Sequence, residues 1–456
     1  MLYNKRMEKK PRLLAVEILN RVEKNLAYAE PLLEAALKEN YLPNVHDRRL
    51  LTELVFGTLR MQGYLDWVIE RYLRGRSAPL PLSVKNILRT AFYQFMHTSR
   101  IPIYAIVDEA VKLTRQLAPG NEALVNALLR NYLRHREEAL FPQKRDEAPL
   151  EYISIVHAHP RWLVKKWLSY LGIEETERLC QANNERPPFT VRVNTLKTDR
   201  TKAIDELKEA GIEAGETPYA PEGLFILKGR GELRFAEAFT KGHFVIQDEA
   251  SQLIAHLLSP RPGERVLDCC AGRGIKTTHL AQLMENKGVI TAIDLNERKL
   301  ALLQELSENL GITIVATKAG DATGNAAVEE ELYDRVLLDA PCSGLGTVRR
   351  KPEIKWRLKA KEIAKLSSRQ KDLIKSAARL VKKGGVLLYA VCTIMPEENE
   401  KVIEDFLKDN PDFTVETVEM PLYPSSLFFN ERGFFRTFPH IHNTDGFFAC
   451  LLRKKS

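Results

Sequence analysis

An all-α N-terminal domain followed by an α/β region is the fold class predicted by three features of the sequence. From Pro11 to about Arg136, apolar residues recur at three- and four-residue spacing, the period of amphipathic helices. From Phe239 onward, short and nearly continuous apolar runs alternate with amphipathic stretches, the pattern of a doubly wound, Rossmann-like sheet covered on both faces. The 456 residues also exceed what one core supports and suggest about three folding units. The units are read as a helical domain over 1–140, a linker over 141–154, a small α+β subdomain over 155–235, and the α/β domain over 236–456.

Taken in order, Leu13, Leu14, Val16 and Ile18 open the first helix. The segments AEPLLEAALKEN, DRRLLTELVFGTLRMQGYLDWVIERYLR, SVKNILRTAFYQFMHTS, IYAIVDEAVKLTRQL and NEALVNALLRNYLRH continue the pattern. Asp47, Ser83 and Asn121 are placed as N-caps, and Pro102, Pro119 and Gly120 fall between segments. After the polar stretch FPQKRDEAPLEY comes a helical PRWLVKKWLSYLG, then a strand in PFTVRVNTLK, a helix in TDRTKAIDELKEAG and a strand in GLFILKG. RVLDCC, GVITAID, ITIVATKAGD, YDRVLLDAPC and GGVLLYAVC are predicted as strands of the large sheet. KTTHLAQLM, RKLALLQELSENLG and SSRQKDLIKSAARLVKKG are the helices between them, and FTVETVEM and GFFACLLRKK add two late strands.

Several function classes are excluded. The six cysteines form no CxxC pair and no regular framework, so neither a disulfide scaffold nor a zinc ribbon is expected, and no residue is assigned to a metal. No apolar run approaches the roughly 18 residues of a membrane span, and the N-terminus lacks a signal-peptide core. A cytoplasmic protein with no membrane partner is expected. Residues 1–140 carry 22 Lys/Arg against 15 Asp/Glu, and residues 345–383 carry 14 against 3. Two separated basic regions suit a polyanionic partner such as RNA, although solvated helix faces would read the same way.

In an open α/β sheet the ligand sits outside the carboxyl ends of the strands. The first such end is Asp268-Cys269-Cys270-Ala271-Gly272-Arg273-Gly274-Ile275-Lys276-Thr277, where Gly272 and Gly274 allow close backbone approach. Thr277 stands where a dinucleotide fingerprint needs its third glycine, and no GxxxxGK[ST] phosphate loop is present. The next strands end in Asp294, Asp321 and Asp339. Any one of these could simply cap a helix. As a series along the ligand edge they suit a cationic, ribose-containing cofactor, S-adenosylmethionine, better than a pyrophosphate. Cys342 lies just past Asp339 and Cys392 at the end of the next predicted strand, YAVCT, and a thiolate there can attack an electron-poor ring. Either thiol could be the nucleophile on this reading.

The run from DCCAGRGIKT through DAPCSGLGT to YAVCTIMPEENE resembles RNA cytosine-C5 methyltransferases of the RsmB (Sun/Fmu) type. The resemblance covers nearly the whole chain. DRRLLTELVFGTLRMQGYLDWVI and ALVNALLRNYLR look like the NusB-like RNA-binding domain of those enzymes, and RVNTLK and GHFVIQDEASQL like the parts before their catalytic sheet. It implies a class I methyltransferase sheet that binds S-adenosylmethionine through Cys270, Ala271, Gly272, Arg273, Gly274, Ile275, Lys276, Asp294, Asp321 and Asp339. It also implies that Cys392 adds to C6 of cytosine, that Asp339 holds the ring edge, that Cys342 assists loss of the C5 proton and product release, and that Lys276 supports the electrostatics. Arg273 replaces a proline usual in relatives and is expected to point outward or toward RNA phosphate. The implied substrate is 16S rRNA at cytosine(967), before or during small-subunit assembly, its base unstacked by a monomeric enzyme. The alternatives are a non-catalytic NusB-like antitermination factor and a cytosine-C5 methyltransferase for another RNA, such as tRNA. An enzyme acting on DNA or exocyclic amines fits the motifs less well.

Overall fold

A computed structural model describes residues 10–38, 42, 44–73, 79–99, 101–135, 144–322, 332–419 and 424–456. The first part of the chain is helical: α1 (Pro11–Asn25), α2 (Ala29–Lys38), α3 (Val45–Tyr72), α4 (Leu82–His97), α5 (Ile103–Leu117), α6 (Glu122–His135), α7 (Pro149–Val156) and α8 (Arg161–Asn184). Next come β1 (Thr190–Val193), α9 (Arg200–Glu209), β2 (Glu213–Glu216), β3 (Gly223–Lys228), α10 (Glu237–Thr240), β4 (Phe244–Ile246) and α11 (Glu249–Leu258). The α/β alternation runs through β5 (Arg265–Asp268), α12 (Ile275–Leu283), β6 (Val289–Asp294), α13 (Glu297–Leu310), β7 (Val315–Ala319) and β8 (Tyr333–Asp339). It continues with α14 (Ile354–Arg357), α15 (Ala360–Arg379), β9 (Val381–Val391) and α16 (Glu400–Asp409), and closes with β10 (Phe413–Glu416), β11 (Phe435–Thr437), α17 (Pro439–His442) and β12 (Phe447–Lys454).

The chain divides into two compact units, Met1–Glu185 with Val348–Leu358, and Arg186–Thr347 with Lys359–Ser456. The first unit is a helical assembly whose core gathers Leu14, Leu19, Leu51, Val55, Ile87, Phe92 and Leu129. Arg89 of α4 is 1% exposed yet ionised, because Asp66 clasps it with two bonds of 2.6 Å and Glu23 adds a third at 2.5 Å. Two of the expected N-caps fall inside helices. Asn44 caps α3 by accepting from the His46 amide, so Asp47 lies in the first turn, where its charge still favours the dipole. Pro81 precedes α4, and the Ser83 hydroxyl instead accepts from Asn20. Asn121 does precede α6, with its side chain turned back to the Ala118 carbonyl. Gly172, at φ 79°, breaks α8 into two helical pieces. Part of the stretch read as a linker forms α7; its residues 141–143 lie outside those described.

The 348–358 segment belongs to this helical unit. The Trp356 indole donates to the Leu59 carbonyl at 2.7 Å. The fully buried Lys355 amino group donates to the Arg60 carbonyl at 2.9 Å and to Asn184 at 3.0 Å.

In the second unit, an antiparallel sheet in the order β2-β3-β1-β4 precedes a larger sheet in the order β10-β12-β9-β8-β5-β6-β7, with β11 on β12. Strands β9, β8, β5, β6 and β7 are parallel, whereas β12 pairs antiparallel with β9, so the late strands make the sheet mixed. Alternate side chains feed two cores. Val266, Leu337 and Leu388 face α11 and α12, while Leu267, Val336, Leu338 and Leu387 face α15 and α16. Both faces are dry, which explains the near-continuous apolar runs.

Candidate active site

The strand order reverses between β5 and β8: β5 feeds β6 and β7 on one side, and β8 leads to β9 on the other. Ligand crevices form at such a switch point. The loop after β5 turns sharply, with Gly272 at φ 59° and Gly274 at φ 80°. A Cβ on Gly274 would stand 1.9 Å from Leu303 Cδ1, so the glycine serves both the left-handed conformation and the close packing of α13. Beneath the loop, Asp268 is buried and accepts from Thr277 at 2.7 Å. Burial, reinforced by the nearby Asp339 charge, pushes its carboxyl up to about 7.

Asp294 ends β6 and accepts from the Gly272 amide at 2.9 Å and the Asn296 amide at 2.8 Å. The cap of α13 is Asn296, whose side chain accepts from the Arg298 amide, so Asp294 is free of that duty and fastens the glycine loop. Arg273 is exposed. Asp321, beyond β7, pairs with Arg369 of α15 at 3.6 Å. Cys270 and Ala271 are half-buried in the loop, and the Ile275 carbonyl accepts from the buried Arg192 at 2.8 Å.

Lys276 reaches from the first turn of α12 to Asp339 at the end of β8, an ion pair of 2.7 Å. Its ammonium also lies 5.1 Å from the Phe447 ring centre. Burial works against the charge, but Asp339 overrides it and raises the lysine above its ordinary value. One register step further, β8 and β9 pair through Asp339 and Ala390. The chain beyond each strand end then brings Cys342 and Cys392 together, sulfur to sulfur at 3.3 Å. Both are half-buried thiols outside any disulfide. The bond to Cys392, then burial, push the Cys342 thiol well up.

Glu398 holds this geometry, and the sequence reading assigned it no role. Fully buried, it accepts from the Ser343 amide at 2.8 Å, the Ser343 hydroxyl at 2.5 Å, the Gln370 amide at 3.0 Å and the Thr393 hydroxyl at 3.1 Å. One carboxylate thus ties the residue after each thiol to the same point, and burial raises its own pKa. Its sequence signal is its place in the PEENE run after Cys392, which the resemblance included without assigning Glu398 a role. The structure therefore gathers Lys276, Asp339, Cys342 and Cys392 at one edge, with Asp294 fixed to the loop beside them. Asp321 sits further along the edge with Arg369.

Three family models match the chain: 16S rRNA methyltransferase RsmB/F over 255–453, NusB over 9–134, and the RsmF/B-like ferredoxin-like domain over 159–231. The probable ribosomal RNA small subunit methyltransferase B of Bacillus subtilis (strain 168) is 37% identical over 97% of this chain and 98% of its own length. The crystal structure of PH0851 is similar at 33% identity with a TM-score of 0.83, over 98% of this chain and 100% of that one. That of NSun6 from Pyrococcus horikoshii with SFG, an S-adenosylmethionine analogue, shares 26% identity and a TM-score of 0.59 over 66% of this chain and 100% of its own. The chain belongs to the RsmB/F family of S-adenosylmethionine-dependent RNA methyltransferases, with a NusB-like domain at its N-terminus.

Proposed function

We propose that the chain methylates C5 of a cytosine in 16S rRNA, with cytosine(967) the target that the family resemblance implies. The observation that carries the reading is the thiol pair, 3.3 Å apart at the ends of adjacent strands, beside the Lys276–Asp339 ion pair. Cytosine C5 is a poor nucleophile, so a pre-formed sulfur nucleophile is what the chemistry needs. The thiolate of Cys392 adds to C6, and the electron pair of the C5–C6 double bond is released toward C5. Asp339 accepts from the amino edge of the ring, and Lys276 offsets the charge that accumulates there. S-adenosylmethionine, when bound, supplies an electrophilic methyl group. With Cys392 bonded to C6 and its hydrogen bond to Cys342 gone, Cys342 as the thiolate takes the proton from C5, the C6–sulfur bond breaks, and the double bond is restored with Cys392 again a thiolate.

Cofactor contacts are assigned to Cys270 through Lys276, Asp294, Asp321 and Asp339. Residues 1–140 hold RNA through their excess charge, 155–235 form the small subdomain after the 141–154 connection, and 236–456 carry out the transfer in a cytoplasmic monomer. Denaturing gel electrophoresis after incubation with substrate RNA and S-adenosylmethionine tests the thiol assignment. Cys392→Ala abolishes transfer and forms no adduct, because nothing else activates C5. Cys342→Ala still attacks but stalls before elimination and accumulates a covalent protein–RNA species. An adduct in Cys392→Ala instead would reverse the roles. Bisulfite mapping of ribosomal RNA from a strain lacking the protein identifies the base.

A further inference from the structure

Glu222, His256 and His279 lie apart in the sequence, on the residue before β3, on α11 and on α12, and no CxxC-type signal announces them. The second unit brings one ligand atom from each within 4.8 Å of the others. Oε2 of Glu222 is 2.9 Å from Nε2 of His256 and 3.7 Å from Nε2 of His279. The two imidazole planes stand at 83°, with centres 5.3 Å apart, so both rings present an edge nitrogen to one carboxylate oxygen. Zinc–ligand bonds of about 2.0–2.2 Å set tetrahedral ligand atoms roughly 3.3–3.6 Å apart, and the two distances here straddle that span.

His279 supplies an independent sign. Its ring is completely buried, and neither ring nitrogen has a hydrogen-bond partner among the described residues. A buried imidazole in that state is costly unless something else satisfies it. The set therefore offers two imidazole nitrogens and one carboxylate oxygen. The guanidinium of Arg192, which opposes a cation here, is engaged with Gln247, the Ile275 carbonyl and Thr278.

We propose that Glu222, His256 and His279 hold a zinc(II) ion that braces the fold, with its fourth position left to water. Two imidazoles favour zinc over magnesium or calcium, which take oxygen ligands. The backbone of Glu222 is already fixed, since its carbonyl accepts from Val193 of β1 at 2.8 Å. Zinc would therefore clamp the small sheet to α11 and to α12, the helix that carries Lys276, while His256, the most exposed of the three, gives the route of entry.

The full-length chain, stripped with chelator and re-equilibrated with zinc under reducing conditions, should retain one zinc per molecule and melt about 5 °C higher than the stripped form. Cobalt(II) should bind at the same ratio without a sulfur-to-cobalt charge-transfer band, which separates this site from the Cys342–Cys392 thiols. His256→Gln, checked for native circular dichroism, should lose both metal and melting shift. No retained zinc, a sulfur band, or a melting shift that survives in His256→Gln would each overturn the site.

Discussion

Burial and the Asp339 charge hold Asp268 up to about 7, whereas an exposed aspartate ionises near about 4. The folded state therefore binds this proton more tightly than the unfolded one. The stabilisation is complete below about pH 4 and is lost as pH rises toward 7, worth on the order of 4 kcal/mol over that window. Asp268→Asn keeps an acceptor for Thr277 but cannot ionise. Its melting temperature, relative to the native chain, should climb between pH 4 and pH 7 and level off above. Parallel melting curves across that range would mean that Asp268 ionises as freely as an exposed group. The same residue shows why a carboxylate seen in a sequence is only half a statement, since its neighbours decide whether it carries charge at neutral pH.

The helix α12 depends on Gly274, the residue that caps its N-terminus. Gly274→Ala combines a left-handed backbone with a 1.9 Å approach to Leu303, so it should cost about 2 kcal/mol or more in denaturant titration. It should also displace Lys276 and weaken S-adenosylmethionine binding about tenfold by calorimetry. Gly272→Ala, with nothing within 4 Å of its Cβ, should lose less stability, and equal losses would argue against the packing explanation. At this scale much of the site was legible. Each parallel strand of the large sheet ends in a local pattern, an apolar run closed by Asp, Gly or Cys, and the fold rule sends all such ends to one edge. Glu398, Arg192 and His279 were not legible, because their burial rests on contacts with distant segments: Gln370 is 28 residues from Glu398, and Gln247 is 55 from Arg192. The short strands β2, β4 and β11 escaped for a related reason, having three or four residues each and so too few to show a period.

For the whole molecule, charge counted along the sequence overstates what RNA can meet. Of the basic residues between 345 and 383, Arg349 and Lys355 are buried in the helical unit. Arg369, Lys371, Lys375 and Lys382 are paired with Asp321, Asp405, Asp409 and Asp334. Lys361 and Lys365, one turn apart on the exposed face of α15, are better placed for phosphate. Replacing both with Gln should weaken RNA binding and reduce the slope of log affinity against log salt by about 1 to 2. Filter binding at several salt concentrations reads the slope, and an unchanged slope would remove α15 from the RNA surface.

The short excursion of 348–358 also bears on how such a protein can be cut or inherited. The chain crosses between the two units three times, at Glu185–Arg186, Thr347–Val348 and Leu358–Lys359. A truncation that begins at residue 186 would leave Lys355 without Arg60 and Asn184, and Trp356 without Leu59. An amine and an indole that were satisfied inside the helices would then dangle between Thr347 and α15. Simple end-to-end joining of two ready-made domains leaves no such trace. Any relative that dispenses with the helical unit must rewrite this stretch as well, so the passage just after the Cys342 loop is where a lineage would record whether its helical unit was gained, lost or exchanged.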